Sequence, residues 1–234
     1  MAEFSTVPGR ALAIYAHPDD PDVACGGTLA RWAEGGGEVF VCICADGDKG
    51  STDPQTDPAS LARRRRDEVV AAGKHLGVAG QHWLNYPDGE VDGEGNLRSR
   101  LVALIRELRP DTVVAPDPTA VYFGSHYINH RDHRAVGWAV LDAVAPAAGN
   151  PHYFPHAGAP HRVGTLLLSG TLDADSWVDV GATIGKKASA VACHRSQVGD
   201  DDAWVGTVVR ERASEAGAGA GLSFAEGYRR LSFT

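Results

Sequence analysis

Apolar and polar positions divide the chain into short buried runs and longer amphipathic stretches. Arg10 to Tyr15 (RALAIY) reads as a buried strand, and Glu38 to Ala45 (EVFVCICA) as a second. Between them Thr28 to Glu34 reads as a short helix, stopped by Gly35, Gly36 and Gly37. Leu61 to Leu76 carries Leu61, Val69, Ala72 and Leu76 near helical spacing, and Gly77 ends it. Gln81 to Leu84 is a short strand, Leu97 to Leu108 a helix halted by Pro110, and Thr112 to Ala115 another strand. A helix near Ala135 to Val144 follows, then strands at Val163 to Ser169 and Trp177 to Val180. Ile184 to Cys193 is helical until HRSQ breaks away, Asp202 to Ala216 is the final helix, and Gly217 to Gly221 is a loop.

Strand–helix–strand recurs with connections long enough for parallel crossovers. The pattern predicts an α/β fold: a Rossmann-like, mostly parallel twisted sheet flanked by helices. It spans residues 1–234 as a single domain. Ligands of such sheets gather at the carboxyl ends of the strands. His17 to Asp20, Asp46 to Asp48, and Asp117 all follow strands, so they line one edge. The irregular segment Pro116 to Gly164, rich in Pro, His, Asn and Tyr, is the kind of long loop that carries function.

Composition narrows the function classes. The chain has 234 residues, 43% of them hydrophobic, enough for one large core. Net charge is −8, and no basic stripe stands out apart from Arg63 to Arg66, which excludes a general nucleic-acid binder. No apolar run approaches the ~20 residues of a membrane span. The start, MAEFSTVPGR, lacks the basic and apolar regions of a signal peptide, so the cytoplasm is the expected location. Cys25, Cys42, Cys44 and Cys193 form neither a CxxC pair nor a disulfide framework and read as small buried residues.

The chemistry is concentrated in two stretches. AIYAHPDDPDVACGG leaves a strand and at once offers His17, Asp19 and Asp20. One reading is a helix cap, since carboxylates suit the first turn of a helix. The other is a metal site, in which His17 and Asp20 converge on one ion and a third ligand comes from elsewhere. INHRDHRAVG, Ile128 to Gly137, supplies candidates in His130 and His133, with Asp132 between them. GGG at Gly35 to Gly37 and GEGN at Gly93 to Asn96 read as turns, not as a dinucleotide fingerprint after the first strand. Carboxylates stand where a pyrophosphate needs glycines, which disfavours a nicotinamide dehydrogenase.

AHPDD followed by HRDHRAVG resembles the LmbE-like (PIG-L) zinc-dependent N-deacetylases, the family of N-acetylglucosaminyl-phosphatidylinositol de-N-acetylase. CADGDKG, the pair Arg65 and Glu68, YPDGE and HRSQ resemble family segments in the same order, over nearly the whole chain. The resemblance implies Zn2+, or another divalent transition metal, on His17, Asp20 and His133. It implies Asp19 as catalytic base, His130 as oxyanion stabiliser or proton donor, and Asp132 as the charge partner of His130. Arg65 and Asp88 resemble positions that contact sugar hydroxyls, and His194 and Gln197 a late segment bordering the pocket. The implied function is deacetylation of an N-acetylated amino sugar or sugar-containing small molecule, by a chain able to form a homo-oligomer. Pro21 departs from the family's AHPDDE by replacing the Glu, and Asp22 offers a carboxylate one position later. Two rival readings remain: an amidase for another acylated natural product or thiol-sugar conjugate, and a metal-free Rossmann-like binding protein.

Overall fold

The computed structural model describes residues 2–92 and 96–233; Gly93 to Gly95 of the expected GEGN turn lie outside them. In chain order the elements are β1 (Ala2–Glu3), β2 (Arg10–Tyr15), α1 (Asp20–Glu34), β3 (Glu38–Ala45), α2 (Pro58–Leu76), β4 (Gly80–Tyr86), α3 (Leu97–Leu108) and β5 (Thr112–Pro116). A small hairpin follows, β6 (Tyr122–Phe123) with β7 (Tyr127–Ile128). Then come α4 (Arg131–Asp142), β8 (Thr165–Ser169), β9 (Ser176–Asp179), α5 (Ile184–Ala192), α6 (Arg195–Val198), α7 (Asp202–Ala218) and β10 (Ala225–Ser232).

The main sheet runs β1-β9-β10-β8-β5-β2-β3-β4. The block β8-β5-β2-β3-β4 is parallel, as the pattern predicts. β10 is antiparallel to both β8 and β9, so the sheet is mixed at one side. The helices divide the core in two. Leu29, Trp32, Val69 and Leu76 of α1 and α2 meet one face, together with residues of α5 and α7. Leu101, Ile105, Val136 and Val140 of α3 and α4 meet the other. Cys42 and Cys44 both face this second layer, so their side chains sit on the same side of β3.

Local chemistry sets the helix ends. Asp57 caps α2 by accepting from the Ser60 N–H, and Gly77 closes that helix in the left-handed region at φ 75°. α1 begins earlier than the pattern predicts. Pro21 sits in its first turn, where a proline costs no hydrogen bond, and the helix is broken at Cys25 before continuing through Thr28 to Glu34. HRSQ breaks from α5 as the pattern predicts, and Arg195–Val198 then forms a separate short helical turn.

Parallel strands share one carboxyl edge. The loops after β2, β3, β4 and β5 therefore emerge together and are close enough to bond. Asp48 accepts from the Asp88 N–H at 3.0 Å, joining the loops after β3 and β4. α4 presses against the end of β5 through Gly137, where a Cβ would stand 2.6 Å from the Pro116 carbonyl. That close approach brings the first turn of α4 to the mouth of β2.

Candidate active site

His17 leaves β2, and His133 sits in the first turn of α4; the packing of α4 brings them together. His17 Nδ1 lies 3.1 Å from His133 Nε2. Asp20 completes a triangle, with Oδ1 3.1 Å from His133 Nε2 and Oδ2 3.4 Å from His17 Nδ1. Donors about 2.0–2.1 Å from a tetrahedral ion stand roughly 3.3 Å apart. The three atoms thus have the spacing and the nitrogen–oxygen chemistry of a divalent metal site.

The surroundings fix these donors. Asn129 Oδ1 lies 3.0 Å from His133 Nδ1 and accepts its proton, which leaves the Nε2 lone pair facing Asp20 and His17. Asp20 Oδ2 accepts from the His17 backbone N–H at 2.7 Å. The far nitrogen of His17, Nε2, lies 3.1 Å from Asp88 Oδ1 and 3.4 Å from Asp132 Oδ2. A carboxylate behind a ligating histidine orients the ring and raises its basicity.

The charges follow from this crowding. Burial opposes a charge on His17, but the Asp20 charge and the contacts with Asp132, Asp20 and Asp88 outweigh it and push the group up to about 12. His133 is raised against the same burial cost, chiefly by Asp20. Burial opposes the Asp20 carboxylate, yet the charges of His133 and His17 hold it well below the usual carboxylate range. Without a metal both imidazoles therefore hold protons more readily than a free histidine does.

The carboxylates of the HPDD turn do not act as caps. Asp19 occupies the N-cap position of α1 but makes no side-chain capping bond. Its Oδ1 accepts from Arg65 Nη2 at 2.7 Å. Arg65 is 3% exposed, and its Nη1 donates to the Gly47 carbonyl, so its guanidinium is anchored between α2 and the loop after β3. Arg63, Arg64 and Arg66 are exposed, as a solvated helix face requires. Arg65 shares its buried face with Glu68, Leu61 and Val69.

The Asp132 carboxylate accepts from the Gly89 N–H at 2.7 Å and lies 3.4 Å from His17 Nε2, with a ring nitrogen of His130 within 4.8 Å, so its charge acts on both rings. Its backbone also serves His130: the Asp132 N–H donates to His130 Nδ1 at 3.2 Å, which makes His130 the N-cap of α4. Nδ1 is thereby an acceptor, and a neutral His130 carries its proton on Nε2. Burial and the His17 charge together lower the pKa of His130. Both causes oppose an imidazolium at this position.

An open cleft of about 530 Å3 joins these groups. His17, Asp19, Asp20, His130 and His133 line it, with Arg65, Asp88 and Gln197 on its wall. His194 is not on that wall. It is fully buried, and its Nε2 lies 2.6 Å from Asp22 Oδ2. Asp22 thus supports the turn from within, opposite the late HRSQ segment. Two contributors escaped the sequence reading. Lys49 borders the cleft and donates to the Asp88 carbonyl at 2.6 Å. Asn129 orients His133; the only signal was its place inside the INHRDH stretch.

Residues 12–144, more than half the chain, match the family model PIG-L, described as GlcNAc-PI de-N-acetylase. A diacetylchitobiose deacetylase of Thermococcus kodakarensis is 32% identical over 226 residues, covering 94% of this chain and 82% of that protein. A 1D-myo-inositol 2-acetamido-2-deoxy-alpha-D-glucopyranoside deacetylase 2 of Saccharopolyspora erythraea is 31% identical over 176 residues. That match covers 65% of this chain and 62% of the relative, less than two thirds of its length. Among solved structures, the N,N'-diacetylchitobiose deacetylase from Pyrococcus horikoshii superposes with a TM-score of 0.86 at 30% identity, over 96% of this chain and 84% of that one.

Proposed function

The chain belongs to the PIG-L family of de-N-acetylases and is an amide hydrolase, and from that premise we propose that it removes acetyl groups from an N-acetylated amino sugar with the help of zinc. The observation that carries this reading is the triangle of His17 Nδ1, His133 Nε2 and Asp20, with Asp19 beside it on the same cleft. His17, Asp20 and His133 would hold a divalent ion, which when bound would supply a nucleophilic water at neutral pH and an electrophile for the acyl oxygen. Asp19 takes the proton of the attacking water and passes it to the departing nitrogen. Arg65 keeps the Asp19 carboxylate aimed, through the bond to Oδ1 that leaves Oδ2 for the proton. His130 donates from Nε2 to the developing oxyanion as a neutral ring, which needs no charge beside His17 and His133. Asp88 and Asp132 hold His17 from behind. Lys49 and Gln197, on the cleft wall, are suited to sugar hydroxyls.

The test is acetate release from a panel of N-acetylglucosamine, diacetylchitobiose and N-acetylglucosaminyl-inositol, run with protein purified without chelator and its metal content measured. Turnover on at least one sugar, lost on chelation and restored by zinc, is the expected result. Protein that takes up no metal when zinc is supplied, and releases no acetate from any member, overturns the reading.

A further inference from the structure

A second hollow, of about 210 Å3, adjoins the first and shares Asp20, His133 and Tyr127 with it. Its character is opposite. Tyr15, Val23, Ala24, Pro116 and Phe123 supply apolar wall. Its buried polar side chains Tyr15, Ser169, Asp117 and Asn129 already have partners. The Tyr15 hydroxyl and Ser169 Oγ bond each other at 2.6 Å. Asp117 Oδ1 accepts from the backbone and hydroxyl of Thr119 at 2.9 and 2.7 Å. Asn129 spends its amide on the Ala120 carbonyl and its oxygen on His133. A wall whose polar atoms are satisfied internally favours apolar matter over water or hydroxyls.

The chemistry of the tetrahedral carbon says which apolar matter. That carbon carries the attacking oxygen, the oxyanion, the amine nitrogen and the acyl chain. The first three need proton acceptors or donors, and Asp19 and His130 line the polar cleft only. The acyl chain needs none. With the carbon beside His133 and Asp20, on the ridge between the hollows, the remaining direction is the apolar one. A volume of about 210 Å3 exceeds the need of an acetyl methyl, since a water-sized group takes roughly 30 Å3.

We propose that this apolar hollow is the acyl pocket and that the enzyme hydrolyses N-acyl amino sugars with chains longer than acetyl, propionyl and butyryl among them. The inference rests on the deacetylase reading above. Water adds to the acyl carbon, the C–N bond breaks, and the products are the free amine and the matching carboxylate. Ala24 and Phe123 line the pocket.

The experiment uses the full-length, metal-loaded chain with glucosamine and chitobiose N-acylated by acetyl, propionyl, butyryl or hexanoyl groups, and follows carboxylate release. Butyryl and acetyl substrates of the wild type are expected to agree in kcat/KM within about tenfold. Ala24→Leu, which fills the hollow, lowers the butyryl-to-acetyl ratio by on the order of tenfold. Phe123→Ala, which widens it, raises the hexanoyl-to-acetyl ratio, and melting curves confirm that each variant is folded. A wild type that cleaves acetyl and disfavours butyryl by more than about tenfold overturns the acyl pocket alone. So do ratios unmoved in both folded variants. No release from any substrate overturns the deacetylase reading, and the pocket with it.

Discussion

Arg65 Nη2 donates to Asp19 Oδ1 at 2.7 Å, from a guanidinium that is itself almost wholly buried. A charged donor inside the protein thus holds an acceptor at the cleft. Arg65 touches the proposed base more closely than its expected part in sugar binding implies. Arg65→Gln keeps the metal, because no ligand is altered, but frees the Asp19 carboxylate to rotate. A loss in kcat of about 10-fold to 100-fold is expected, with a smaller change in KM. Steady-state kinetics with metal analysis checks it; a change confined to KM returns Arg65 to substrate binding.

Asp19→Asn preserves shape and removes the proton acceptor. Metal content stays at the wild-type level and kcat falls on the order of 10²- to 10⁴-fold. Near-normal deacetylation by this variant transfers the base role to another group.

The raised histidines make metal uptake a proton-releasing event. Asp20 and the neighbouring carboxylates raise both His17 and His133 in the metal-free fold, so a cation must displace protons that these rings hold more tightly than free imidazoles. Calorimetry in buffers of different ionisation enthalpy detects that release, and affinity rises with pH. The metal-free fold behaves in the opposite way. A histidine whose folded pKa lies above its unfolded value, ~6.5, contributes stability that is complete below that value and fades as pH rises toward the folded pKa. Asp20, held low, contributes stability that is lost as pH falls below about 4. The chelated protein therefore melts highest between about pH 4 and 6.5 and declines above it, while the metal's own stabilising effect grows. A chelated protein whose Tm climbs from neutral to alkaline pH contradicts this.

Asp22 and His194 form a buried pair at 2.6 Å that ties the HPDD turn to the segment before α6. Removing either partner leaves the other without compensation. His194→Ala is expected to cost about 3–5 kcal/mol in urea denaturation. Loss of under ~1 kcal/mol, within the range of an exposed pair, removes this support from the account.

The central part of the fold was legible because β2, β3, β5 and the helices after them follow clean hydrophobic periods. β10 was not. Its sequence AEGYRRLS carries a glycine and two arginines, and it enters the sheet through partners distant in sequence. Buried Glu226 anchors it by accepting from the Gly27 and Thr28 N–H groups of α1 and from Lys187 Nζ. No local pattern announces such pairing. In the site, the residues carried by two motifs converge because topology puts both on one edge of the sheet. Partner choice within that cluster was not legible. How Asp132 is shared between His130 and His17 depends on how the turn at Gly89 meets α4, and whether His194 faces the cleft or Asp22 depends on packing behind α1.

The account stands on three side chains holding one cation. The direct measurement is metal stoichiometry by mass spectrometry of the wild type and of His133→Ala, each purified without chelator and dialysed against trace zinc. One tightly held ion per wild-type chain, and almost none in a folded His133→Ala, is the predicted result. A wild type without metal, or a variant that keeps its full complement, contradicts the site.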